Sequence, residues 1–141
     1  MNSIFKLEEI VKREMGDIIS SYHLTIHAVS DSEVLLKSRE YAIDVVADRD
    51  GVSLVYFDKR AKSIKGYNIF RFLVDKRRNQ LDFAKNQPPT HSYPEFIELQ
   101  TRSLANHLRK AAQDILSGST EWIKAYSWPT LPPANEIAPL I

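Results

Sequence analysis

The chain has 141 residues, 43% hydrophobic and 26% charged, with 19 Lys plus Arg against 18 Asp plus Glu. That length suits one domain with a single core, and 6 Tyr, 6 Phe and 2 Trp supply enough apolar surface to offset the entropy of ordering, which argues against disorder. No apolar run approaches the roughly 20 residues of a membrane span, and with no cysteine there is no disulfide framework, thiolate zinc site or thiol nucleophile. The N-terminus lacks the basic start and apolar stretch of a secretory signal, so the chain is expected to be either cytosolic or already trimmed, with the cytoplasm as the expected compartment.

The first element reads as a helix from about Ser3 to Ile19, with Asn2 or Ser3 as cap. Ile4, Leu7, Ile10, Val11, Met15 and Ile18 recur every three or four residues as one apolar stripe. From Tyr22 to Asp58 the period drops to two. Tyr22, Leu24, Ile26 and Ala28 make one face of a first strand, and Val34 to Leu36 make a second. Tyr41, Ile43, Val45 and Ala47 face one way on a third. The Asp50-Gly51 pair favours a tight hairpin into a fourth strand through Val52, Leu54 and Tyr56. Turns this short allow only antiparallel pairing, because parallel strands need long crossovers.

Residues 58–66 lose both periods and read as a polar, basic loop. Tyr67 to Arg78 then predicts a helix with Ile69, Phe70, Leu73 and Val74 inward. Gln87-Pro88-Pro89 holds an extended connection within residues 86–91. A long helix is expected from Pro94 to Leu116, striped by Phe96, Leu99, Ser103, Leu104, Leu108, Ala111, Ala112 and Ile115 and stopped by Gly118. A short helical turn follows from Thr120 to Tyr126, with Thr120 as cap. The expectation is an α+β fold: an N-terminal helix, a four-stranded antiparallel meander, then two or three helices packed on one sheet face. The opposite face is left open to water. Residues 1–128 form the single domain and 129–141 a proline-rich tail, whose apolar load suits a strap, with a partner or dimer contact as the alternative.

No catalytic motif emerges. His23 and His27 would lie about 13 Å apart on a strand, too far to share a metal ion, and His91 and His107 read as solvated. Asp44 and Asp48 share a strand face with Glu40 behind them, a conceivable carboxylate cluster, but the next strand lacks the Glu-x-Lys or Asp-x-Lys of a nuclease core. Asp48-Arg49-Asp50-Gly51 starts like a calcium loop, yet Ser53 stands where Gly is needed and Lys59 where a bidentate Glu is needed. Neither a phosphate-binding glycine motif nor a nucleophile elbow occurs. The expectation is therefore no enzyme, no metal and no cofactor.

Charge is segregated along the chain. Residues 1–58 carry a balance of −5, residues 59–78 one of +7 and residues 79–141 one of −1. The basic stretch holds Lys59, Arg60, Lys62, Lys65, Arg71, Lys76, Arg77 and Arg78, interleaved with Tyr67, Phe70 and Phe72. Basic residues among aromatics suit phosphate contact and base stacking, and they equally suit the hot spots of a protein interface. A solvated face whose aromatics point into the core accounts for them as well. Candidate partner-binding residues are Asp44, Asp48, Asp50, Arg60, Lys65, Tyr67, Arg71, Arg77 and Arg78.

The run from Tyr41 through Asp48-Arg49-Asp50-Gly51 to Asp58, followed by Gly66-Tyr67 and Phe70-Arg71-Phe72-Leu73, resembles small immunity proteins of bacterial polymorphic and contact-dependent growth inhibition toxin systems. The likeness covers residues 41–78 and is one of residue types. It implies a cytosolic, non-enzymatic α+β domain, monomeric or homodimeric, that binds a cognate protein toxin. Such families share no catalytic residues, so none carries over, and this chain lacks the strong acidity common among inhibitors of nucleases. The alternative is a nucleic-acid-binding regulator that uses residues 59–78. A membrane partner is not expected.

Overall fold

The computed structural model describes residues 5–82 and 90–141. Helix α1 (Leu7–Ser21) leads into a sheet of β1 (Thr25–Ser30), β2 (Glu33–Lys37), β3 (Tyr41–Asp48), β4 (Gly51–Asp58) and β5 (Gly66–Asn68). Helices α2 (Ile69–Lys76), α3 (Tyr93–Ala111) and α4 (Gln113–Leu116) follow, with single 3₁₀ turns at Arg78–Gln80, Glu121–Ala125 and Ala138–Leu140. All neighbouring strands pair antiparallel in sequence order, so the sheet is a meander in an α+β fold. It has five strands where the alternation predicts four. Gly66–Asn68 is too short to display a period, and it becomes a strand only through its pairing with Val55–Phe57.

Alternation sorts the sheet into two faces. Val34, Leu36, Tyr41, Ile43, Val45, Leu54 and Tyr56 point to the main core, where Leu7, Val11, Met15, Ile97, Leu104 and Leu108 from α1 and α3 meet them. The first amide of α1 has no side-chain cap; it donates instead to the Asp31 carbonyl at 2.8 Å, tying the helix to the β1–β2 turn. The helix starts at Leu7, and the expected caps Asn2 and Ser3 lie outside the described residues. Gln87, Pro88 and Pro89 lie outside them too. Gly51 has φ +131°, as the hairpin requires, and lies so close to the Gln100 amide that a Cβ would collide with it. The same Gln100 oxygen accepts the Val52 N–H at 3.0 Å, which docks the hairpin on α3.

Several expectations are corrected. The long helix breaks at Ala112 (φ −128°, ψ 25°) before α4 resumes. Thr120 makes no side-chain cap. On α2 the buried set is Ile69, Phe72 and Leu73, while Phe70 and Val74 pack against the same core but are only partly covered. His107 is not solvated: it is 5% exposed, packed against the Phe70 ring, and burial lowers its pKa. The far sheet face is not left wet either. Residues 129–141 cross it as a strap. The Gly66 amide donates to the Leu131 carbonyl at 2.7 Å, Ile137 is buried, and the Lys37 ammonium donates to the Leu140 carbonyl at 2.6 Å.

Candidate functional site

Residues directly opposite one another form a row across the outer face, from the exposed His27 at the sheet edge through Leu35, Asp44 and Val55 to Asn68. Leu35 is fully buried, and Asp44 beside it is 6% exposed. The Asp44 Oδ1 has no hydrogen-bond partner among the described residues. Burial, reinforced by hydrogen bonding and repulsion from the Glu33 carboxyl, pushes the Asp44 pKa up to about 8, so the group holds its proton at neutral pH. An uncharged carboxylic acid placed mid-sheet with an idle oxygen is costly, and such groups cluster at functional sites.

Asp44 forms part of a cleft of about 370 Å³ between sheet and strap, walled by Val55, Phe57, Pro132 and Ile137, with Asn68 and Arg71 also lining it. Arg71 belongs as well to a second cleft of about 600 Å³ on the outer side of α2, with Phe70, Val74, Asp75, Arg78 and Trp128. The Arg71 guanidinium lies 4.9 Å from the centre of the Trp128 ring. Trp128 is 42% exposed and Leu131 on the same strap is 73% exposed. Asn68 sets Arg71 in place: its Oδ1 accepts the Arg71 amide at 3.0 Å as the cap of α2, and its own amide donates to the Tyr126 hydroxyl at 2.9 Å.

The residues expected at a partner site are scattered by the fold. Asp48 and Asp50 sit at the β3–β4 tip, where Asp48 Oδ1 accepts the Asp50 amide at 2.8 Å and the Asp48 carbonyl accepts the Tyr93 hydroxyl at 2.7 Å. Arg60 donates to Asp58 at 2.8 Å and to the Gly118 carbonyl at 2.9 Å. Arg77 grips both Asp114 oxygens at 2.7 and 2.8 Å and the Ala111 carbonyl at 2.6 Å, which holds the Asp114 carboxyl below its ordinary pKa. Lys59 donates to the Ser38 carbonyl at 2.7 Å, and Lys76 pairs with Asp75. Half of the basic stretch is thus spent inside the domain. Tyr67 packs edge-on against Trp122 and Tyr126, and Phe72 against Trp122, so neither offers a free stacking face.

Only Arg71 and Arg78 come together with each other at a cleft; Asp44 joins Arg71 at the strap cleft, and Lys65 stays exposed on the loop before β5. Trp128, Leu131 and Asn68 escape sequence reading as site residues. The one available signal is the aromatic and aliphatic load of the tail. Among the described residues no group of three or more His, Asp or Glu could hold a metal ion, and no helix is long and apolar enough to cross a membrane. No family model matches the chain, and no curated protein or solved structure matches it either.

Proposed function

We propose that this chain is a protein-binding domain without catalytic activity, acting as an immunity protein that covers and neutralises a cognate bacterial toxin domain. The observation that carries this reading is the solvent-facing Trp128 with Arg71 stacked on it, beside a cleft that Phe70 and Val74 make apolar. Trp and Arg dominate interface hot spots, because each combines a large contact area with directional hydrogen bonding. Leu131 and the apolar strap extend the patch, and Arg71 and Arg78 give it a basic rim suited to an acidic partner surface. The internal pairing of Lys59, Arg60, Lys76 and Arg77 and the burial of Phe72 favour a protein partner over nucleic acid.

The test is calorimetric titration against the toxin-like domains encoded by whichever genes adjoin this one, coupled to growth rescue on co-expression. Trp128→Ala is expected to weaken binding by about 2 kcal/mol, roughly thirtyfold, while the melting temperature changes little. Unchanged affinity would remove this face from the interface. Absence of binding by the unaltered protein, together with no rescue, would overturn the immunity reading.

A further inference from the structure

The strap cleft lies beside the Trp128 patch and shares Arg71 and Leu131 with it, but its Asp44 end is unused by a docking face. At one end lies the Asp44 carboxyl, more than nine-tenths buried, with Oδ1 unpartnered; Glu33 stands next to it. Neither makes a salt bridge among the described residues. At the other end Arg71 also has no carboxylate partner among them. Between the two run Val55, Phe57, Pro132 and Ile137, a trough without charge. Asp44 and Asn68 are separated by two strand spacings, roughly 9.5 Å, and Arg71 follows one helical turn later.

An acidic end, an apolar middle and a basic end define a ligand by complement. The geometry points to a binding site for a zwitterion whose ammonium and carboxylate are joined by an apolar spacer: an ω-amino acid, or the C-terminal lysine of a polypeptide. The ammonium takes the place of the proton that Asp44 otherwise holds, which passes to solvent on binding, and it donates to the Asp44 carboxylate and to Glu33; the methylene stem packs on Phe57 and Ile137, and the carboxylate takes the Arg71 fork. Either charge alone leaves one end of the cleft unmet. The cleft volume of about 370 Å³ is within the range of small-ligand sites. Trp128 does not line the strap cleft and Asp44 does not line the outer one, so substitutions at these two residues separate the two sites although Arg71 serves both.

The probe is ε-aminocaproate, titrated into the full chain at neutral pH and followed by backbone-amide NMR and calorimetry. Saturable shifts at Asp44, Val55, Phe57 and Asn68 are expected, with Kd in the millimolar range or below. Caproate and hexylamine, each missing one charge, should bind at least about tenfold more weakly. Asp44→Asn, which keeps the shape, and Arg71→Gln, on the exposed helix face, should each abolish saturation; a melting curve checks that both remain folded. A peptide ending in free lysine, compared with its C-terminal amide, identifies the source. Preference for the free-carboxylate peptide over ε-aminocaproate assigns the site to polypeptide ends, and the reverse assigns it to small ω-amino acids. Absence of saturable shifts, equal binding of caproate, or full binding by Asp44→Asn would overturn the proposal. Trp128→Ala is expected to weaken binding of the protein partner roughly thirtyfold and keep ε-aminocaproate, and Asp44→Asn to do the reverse, so the two readings fail separately.

Discussion

The two faces of the sheet are covered by different kinds of structure. The inner face, with Ile43, Val45, Leu54 and Tyr56, meets the helices α1 and α3, which bring their own hydrogen bonds and a broad apolar stripe. The outer face, with Leu35, Asp44 and Phe57, meets a strap of irregular backbone anchored by Ile137, one bridge to Gly66 and one bond from Lys37. Helices seal a face with a broad apolar stripe, and among the described residues the polar atom left without a partner there is the Trp122 indole nitrogen rather than a carboxyl. A strap with four prolines in residues 129–141 cannot fill every gap, and the only buried carboxyl among the described residues is beneath it. Tight packing and a ligand-sized cleft are therefore divided between the faces of one sheet.

That contrast can be broken from either side. The largest effect is expected from Ile43→Ala: a fully enclosed methyl-bearing side chain leaves a cavity that helices cannot collapse, costing about 2–5 kcal/mol in denaturant unfolding. If Ile43→Ala costs no more than a strap substitution, the faces are equivalent and the comparison fails.

Next comes the Asp44 proton. In the folded state it is retained to about pH 8, whereas the unfolded chain releases it near the ordinary value of 3.8. The folded state then binds more protons than the unfolded one across that window, so stability falls as pH rises from about 4 to about 8 and levels off above it. Asp44→Asn should remove that slope and stabilise the protein at alkaline pH by on the order of a few kcal/mol, read from denaturation midpoints.

Arg77→Ala comes third. It strips two hydrogen bonds from Asp114 and one from the Ala111 carbonyl, loosening α2 from the α3–α4 break by about 1–3 kcal/mol. Because the Asp114 carboxyl is depressed in the folded state, this stability is present above its ordinary pKa and is lost as pH falls, the opposite sense to Asp44. The smallest global change belongs to the strap. Ile137→Ala should leave the unfolding midpoint within about 1 kcal/mol of the parent, yet markedly speed hydrogen exchange of the Gly66 amide, because the strap opens without the domain. Loss of global stability equal to that of Ile43→Ala would show strap and core to be one cooperative unit.

Period and turn chemistry made most of the fold legible. Tyr41, Ile43, Val45 and Ala47 alternate in sequence and all face the core, and Gly51 marks the hairpin where Asp50-Gly51 predicts it. The candidate site was far less legible. Arg60 and Arg77 look alike in sequence to Arg71, yet two are bonded inward and one stacks outward on Trp128. Trp128 itself lies 57 residues after Arg71, in a tail without periodicity.

The sequence by itself determined the class of fold, the antiparallel meander of the first four strands and which side of β3 and β4 faces the helices, because those follow from local backbone preference and side-chain alternation. Only the tertiary structure decided which charges remain unpaired, that the tail covers the second face, and that Asp44 is buried beside Glu33 rather than presented on the surface. Those outcomes depend on partners brought together from distant parts of the chain. An ion pair or a burial is a property of two surfaces meeting, and neither surface alone encodes it.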